Sequence, residues 1–298
     1  MTSTLSRPAH TPPASAHPTA VRRRPSRATL TRALYFVGFL VVTAAIMLPV
    51  IIIVLTAFKP ASEVNAFPPT LAPAEWTLDN FRAIFSELPF ARLIGNSFVF
   101  AGGVTLLALT FDSLAAYALA RLDFRGSKVL LIVIIASLMI PFQATLIPIY
   151  QLVSDLGWVN TFAGLILPRA ADAFGIFFLR QFFLSLPRDL DNAARIDGAS
   201  EFRVFRSVVL PNAVPALMTL GIFTFVNNWN DLLWPLVFTT ESEHGTITSG
   251  LTLLTGPGGI IPQGVMMAGA LIAVLPLAIL FLLVQRRFIE SVASSGLK

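Results

Sequence analysis

Asn227, Asn228, Asn230 and Asp231 sit in the run FVNNWNDLLWP, whose other members are apolar or aromatic and include Trp229 and Trp234. Amides and a carboxylate beside indoles are groups that hydrogen-bond hydroxyls and stack on the C–H faces of a sugar. On one continuous helix, Asn227 and Asp231 are i and i+4 and share a face, with Asn230 and Trp234 on a neighbouring one. Polar groups inside hydrocarbon are costly unless they meet protein, water or a ligand. Two readings follow and both stay open here: this face lines a solute path or gate, or it is hydrogen-bonded glue between helices. Three other charges lie in apolar surroundings. Arg169 and Asp172 are i and i+3 and are expected to pair with each other, while Asp112 stands alone.

A second constellation lies in a polar island, PRDLDNAARIDGASEFRVFRSVVLP, from Pro187 to Pro211. Pro187 suits a first helical turn, and Leu190, Ala193 and Ala194 share one face. Gly198 interrupts before Ser200 can cap a second short helix. On that second helix Phe202, Phe205 and Val209 recur at helical spacing, with Arg203 and Arg206 on other faces. Two short helices hinged at a glycine, with alanines that let a partner approach the backbone, form a docking element for a soluble protein. The alternative is a hairpin lying on lipid headgroups.

These residues are held by a chain that is 55% hydrophobic and 12% charged, with a mean hydropathy of +0.75. Such a composition excludes an ordinary soluble domain. A bilayer core needs about 20 apolar residues per helix. Six stretches approach or exceed that length: Ala33–Phe58, Phe90–Ala120, Val129–Val153, Phe162–Leu186, Pro215–Thr239 and Val265–Val284. The expected fold is all-α, a polytopic membrane protein of six transmembrane helices. Residues 1–32 read as a disordered tail rich in Pro, Ala, Ser, Thr and Arg, residues 33–288 as one membrane domain, and 289–298 as a short C-terminal tail.

Arginines orient the spans. Arg22, Arg23, Arg24, Arg27 and Arg32 precede the first, and Arg121, Arg125 and Lys128 follow the second. Arg188, Arg195, Arg203 and Arg206 follow the fourth, and Arg286 and Arg287 the sixth, whereas 154–161 and 241–263 carry no Lys or Arg. Cytoplasmic loops hold the excess of basic residues, which places both termini and the island in the cytoplasm of an inner-membrane protein. The net charge of +5 is therefore a topology signal, and no basic soluble face points to nucleic acid. Membrane lipid is the expected partner of the tail arginines. A proline-rich external segment, FPPTLAPAEWTLDNF, offers Trp76, Phe81 and Phe85 to a solute receptor or to the aromatic belt.

Signatures of catalysis are missing from the sequence. No G-x-x-x-x-G-K-[ST] phosphate loop and no G-x-S-x-G elbow occur. There is no cysteine, and His10, His17 and His244 do not fall at metal-ligand spacing on one element. The glycines at 256–259 have no lysine beside them and read as a turn.

The island resembles the "EAA" loop of the membrane subunits of ABC importers, a pattern of Glu-Ala-Ala, three positions, Gly, and a hydrophobic-x-Leu-Pro ending. Ala193, Ala194, Asp197, Gly198, Leu210 and Pro211 fit it; Asn192 stands at the glutamate position, with Asp191 adjacent. LAAYALARLDFRG (114–126), FFLRQFFLSLP (177–187) and WNDLLWPLVF (229–238) are similar to the carbohydrate-uptake branch of these permeases, and the resemblance covers roughly 33–288. It implies import of a sugar or sugar-like solute, with Asp191, Asn192, Ala193, Ala194, Asp197, Gly198, Phe202, Phe205, Leu210 and Pro211 coupling the chain to an ATPase. It also implies a second permease subunit, two ATP-binding cassette subunits that hold ATP and magnesium, and an extracytoplasmic solute-binding protein. No cofactor or metal is expected in this chain. Polyol and glycerol phosphate permeases share these features. A secondary carrier would need an intramembrane proton or sodium relay, for which Asp231 with Asp112 is thin support.

Overall fold

Proline explains where the helices of this protein break. The computed structural model describes residues 27–240, 243–253 and 262–295; the remainder of the expected N-terminal tail, His10, His17 and the glycines at 256–259 lie outside them. Two units are distinguished, up to Val50 and from Ile51 onward. The first consists of most of α1 (Arg27–Ala57), which starts ahead of the expected boundary at residue 33. Its side chains from Leu34 to Val50 are apolar nearly throughout and exposed, as suits a helix in an apolar surrounding.

The second unit continues with α2 (Ala61–Val64), α3 (Asp79–Glu87) and α4 (Phe90–Arg121). Next come α5 (Ser127–Ser137) and α6 (Phe142–Asp155), bent by 101°. Pro141 supplies no N–H and disfavours helical backbone in the residue before it, so α5 cannot run into α6. α7 (Phe162–Ile166) passes through a 3₁₀ turn, Leu167–Arg169, into α8 (Ala173–Ser185) with a 44° bend. The island follows as α9 (Arg188–Ile196), α10 (Glu201–Val204), a π-helical stretch from Phe205 to Val209, and α11 (Leu210–Asn212).

The expected fifth span is not one helix. α12 (Val214–Trp229) ends where the polar run begins its second half, and α13 (Leu233–Phe238) starts afresh. Pro235 cannot donate to the carbonyl of Asp231 four residues back. That carbonyl accepts instead from Thr248 Oγ1 at 2.7 Å, on α14 (Ile247–Leu253). α15 (Gln263–Ser295) extends into the expected C-terminal tail. Among the described residues there is no strand, and three helices are long and apolar enough to cross a membrane, or six spans if each of three bent pairs counts as one. One of those pairs joins Glu201–Asn212 to Val214–Trp229, so the break at Ala213 bends the entry to the fifth span by 78°.

α4 packs chiefly against α8 and α12. Its buried face carries Ala101, Ala108, Ala116 and Ala120. Gly175 on α8 and Gly221 on α12 meet it through Asp112 and Leu109. Helices in lipid gain little from the hydrophobic effect on pairing, so small residues that admit close backbone approach supply the packing energy.

Candidate solute path and docking surface

In the island, Gly198 turns the chain with φ +80°. This left-handed backbone is costly for residues with a Cβ, which is why glycine separates α9 from α10. Ser200 occupies the position that precedes α10, but its side chain makes no capping bond, contrary to expectation. The carboxylate of Glu201 organises the turn instead. It accepts from Arg195 Nε at 2.7 Å and Nη2 at 3.1 Å, and from the Tyr117 hydroxyl at 2.7 Å. The hydrogen bond from Arg195, and then that from Tyr117, holds Glu201 below the usual carboxylate range. Arg195 also donates to Asn192 Oδ1 at 3.2 Å.

The residues expected to meet a partner divide into two faces. Asn192, Ala193, Asp197, Gly198, Phe202 and Pro211 are exposed, Ala194 and Leu210 are half-buried, and Phe205 is buried 5.1 Å from the Tyr117 ring. Asp191, adjacent to the motif position, points inward. Its Oδ2 lies 3.0 Å from Arg121 Nε, with both side chains nearly inaccessible. Arg121 Nη2 donates to the Leu186 carbonyl at 3.0 Å. The carboxylate that seemed available to a partner is thus spent on anchoring α9 to the end of α4. Sequence reasoning missed Ile196, which is 86% exposed and flanks Gly198 opposite Phe202, itself 64% exposed. An apolar residue within a polar island was the available signal.

A cavity of about 300 Å³ opens among α4, α6, α12, α13 and the segment from the 3₁₀ turn to the start of α8. Val104, Ala108, Phe142, Arg169, Asp172, Thr224, Asn227, Asn228 and Trp234 contribute to its wall. Asn227 is exposed there, whereas Asn228 is buried, donates to the Thr224 carbonyl at 2.8 Å, and lines the cavity with its Oδ1 unpartnered among the described residues. Trp234 is buried with Nε1 donating to the Leu165 carbonyl at 3.0 Å. Asn230 is exposed outside the cavity lining and bonds back to Val226 at 3.0 Å. Trp229 packs elsewhere, its Nε1 donating to Ala273 at 3.1 Å and its ring against Phe98 and Phe225. The helix break ends the i, i+4 relation expected of Asn227 and Asp231.

The expected pairing of Arg169 with Asp172 does not occur. Arg169 pairs with Asp231 across the breaks in the fourth and fifth spans. Its guanidinium also lies over the rings of Trp234, Phe142 and Phe100, at 5.4, 5.7 and 5.9 Å. Asp231 Oδ1 accepts from the Trp234 amide, in the first turn of α13, at 3.2 Å. Asp172 caps α8 by accepting from Phe174 N at 3.3 Å. Asp112 is not alone: fully buried, its Oδ1 accepts from the Asp172 amide at 2.9 Å. Among the described residues no group of three or more His, Asp or Glu is placed to hold a metal ion.

Broken membrane-length helices around one long helix, a two-helix island packed against it and a polar-walled cavity make up a multi-pass membrane protein. Its fold is that of a bacterial ABC transporter involved in the import of the acidic polysaccharide alginate, with a TM-score of 0.77 at 23% identity, covering 88% of this chain and 98% of that one. Residues 112–294 match the family described as binding-protein-dependent transport system inner membrane component, and the chain belongs to that family. The arabinooligosaccharides transport system permease protein AraQ of Halalkalibacterium halodurans is 35% identical over 88% of this chain and 95% of that protein. The trehalose/maltose permease MalG of Thermococcus litoralis is 32% identical over 90% and 98%. The sn-glycerol-3-phosphate permease UgpE of Escherichia coli is 34% identical over 85% and 92%.

Proposed function

We propose that this chain is the permease subunit of an ABC importer for a sugar or sugar-like solute. The observation that carries this reading is the convergence of Asn227, Asn228 and Trp234 on one cavity in a chain whose relatives are named for arabinooligosaccharides and trehalose/maltose. Amide groups beside an indole suit a polyhydroxylated ligand. The second permease subunit completes the path, an extracytoplasmic binding protein delivers the solute, and two ATPase subunits bind ATP and magnesium. The arginine distribution puts six spans in the inner membrane with both termini and the island in the cytoplasm. Closure of the ATPases moves the island, and the island moves the bundle as a rigid body.

Ile196 and Phe202, exposed on either side of Gly198, are the apolar knobs that seat in the ATPase. The test uses the transporter recovered through an affinity tag on this chain. Gly198→Asp and Phe202→Asp should abolish co-purification of the ATPase or its solute-stimulated hydrolysis while the chain still inserts. Normal co-purification and normal sugar uptake in both variants would reduce the island to a lipid-surface hairpin.

A further inference from the structure

We propose that the cavity wall filters solutes by charge, rejecting anions, and that Asp231 is the residue that sets this filter. The inference rests on the reading of this cavity as the solute path. An arginine in such a wall would ordinarily recruit carboxylate or phosphate. Here the guanidinium of Arg169 is already met by Asp231, with side chains 25% and 16% exposed, and by three aromatic faces within 6 Å. Asp231 stands behind the wall, against Arg169, while Asp172 is the carboxylate on the wall itself, with one weak bond at 3.3 Å from Phe174 N. One cation therefore faces two carboxylates.

The other polar groups on the wall, Asn227, Asn228 and Thr224, are neutral. Asn228 is 4% exposed with Oδ1 unpartnered, an acceptor suited to a solute hydroxyl and not to an anion. In a site of low dielectric a net negative wall discriminates strongly against a like charge. Removing Asp231 would leave Arg169 against Asp172 alone and so abolish the preference. This separates the chain from relatives named for an anionic solute, such as glycerol 3-phosphate.

The natural absence of cysteine allows the field to be measured without knowing the solute. Ala171→Cys and Thr224→Cys place a thiol on two parts of the wall. In the tagged transporter, each is reacted with methanethiosulfonates of similar size bearing a sulfonate, an ammonium or no charge. Rates are normalised to those of a free thiol in solution. The sulfonate reagent should react about tenfold more slowly than the neutral one. Adding Asp231→Asn should erase that ratio, and Asp172→Asn, which leaves the Arg169 pair intact, should reduce it. Equal sulfonate and neutral rates, a ratio unmoved by both substitutions, or no reaction at either cysteine would overturn the proposal. Should Asp231→Asn fail to assemble, the Asp172→Asn ratio decides. Sugar uptake measured in parallel keeps the two readings apart: uptake with equal reagent rates leaves import standing and removes the charge filter.

Discussion

Asp191→Asn should release the island from the membrane bundle, because it removes one charge from an ion pair whose side chains are 1% and 3% exposed. The substitution is isosteric, so the consequence is electrostatic. Arg121 would keep only the Leu186 carbonyl, bonded at 3.0 Å, while its Nη1 has no partner among the described residues even before the change. Breaking a buried pair from one side costs about 3–5 kcal/mol. The lower end applies here, because the Nε–H is not directed along the 3.0 Å contact to Asp191. About 3 kcal/mol corresponds to roughly a 100-fold rise in the opened population. Limited trypsin digestion reads that population directly, since Arg188, Arg195 and Arg203 lie in helices that must open before cleavage. Replacing both members, Arg121→Met with Asp191→Leu, should restore much of the protection by removing the uncompensated charge. Cleavage of Asp191→Asn near the wild-type rate, or a double variant as labile as the single one, would refute this account.

Two further outcomes are expected. Glu201 is held below its ordinary value of 4.5, so its link to Arg195 and Tyr117 stabilises fully above that pH and is lost as pH falls through the lowered value. The melting difference between wild type and Glu201→Gln should therefore be constant near neutrality and close on acidification below about pH 4.5; a difference independent of pH would remove the carboxylate from the explanation. Gly175→Ala should lower the yield of monodisperse protein, because a Cβ there would collide with Asp112 Oδ2 and lie 3.2 Å from Leu220, an overpacking cost of about 1–3 kcal/mol. Gly102→Ala, where nothing lies within 4 Å, is the control that should be silent.

The helical fold was legible because long apolar runs admit few other structures in a bilayer. The breaks were less so. Pro141 and Pro168 were visible in the sequence, yet a proline inside a span is often tolerated, and only packing determines whether it kinks a helix or ends it. Pro235 is the instructive case. Its lost hydrogen bond could be inferred, but the hydroxyl that satisfies Asp231, Thr248, lies on another element. In the cavity, Asn227, Asn228 and Trp234 were named from composition, while Asn230 and Trp229 were named with them and face elsewhere. The helix face drawn for them presumed a continuous turn that stops at Trp229. Ion-pair partners were the least legible, since Arg169 with Asp231 and Arg121 with Asp191 are tertiary pairs: Arg169 had a local alternative in Asp172, and Asp191 was expected to face a partner protein.

α4 is uninterrupted from Phe90 to Arg121 and ties the island to the cavity. At one end Tyr117 and Arg121 hold the island through Glu201 and Asp191. Nine residues before Arg121, Asp112 holds the start of α8, and Val104 and Ala108 line the cavity. At about 1.5 Å per residue, the stretch from Arg121 to Ala108 spans roughly 20 Å. The island and the cavity wall are therefore fixed to one uninterrupted rod, and a displacement imposed at Asp191 arrives at Asp172 without crossing a hinge. The spans that carry breaks, at Arg169 and Asp231, are those that border the cavity, where two arrangements of the wall are needed. On the proposed importer function, an unbroken α4 and broken helices beside it are complementary requirements for alternating access.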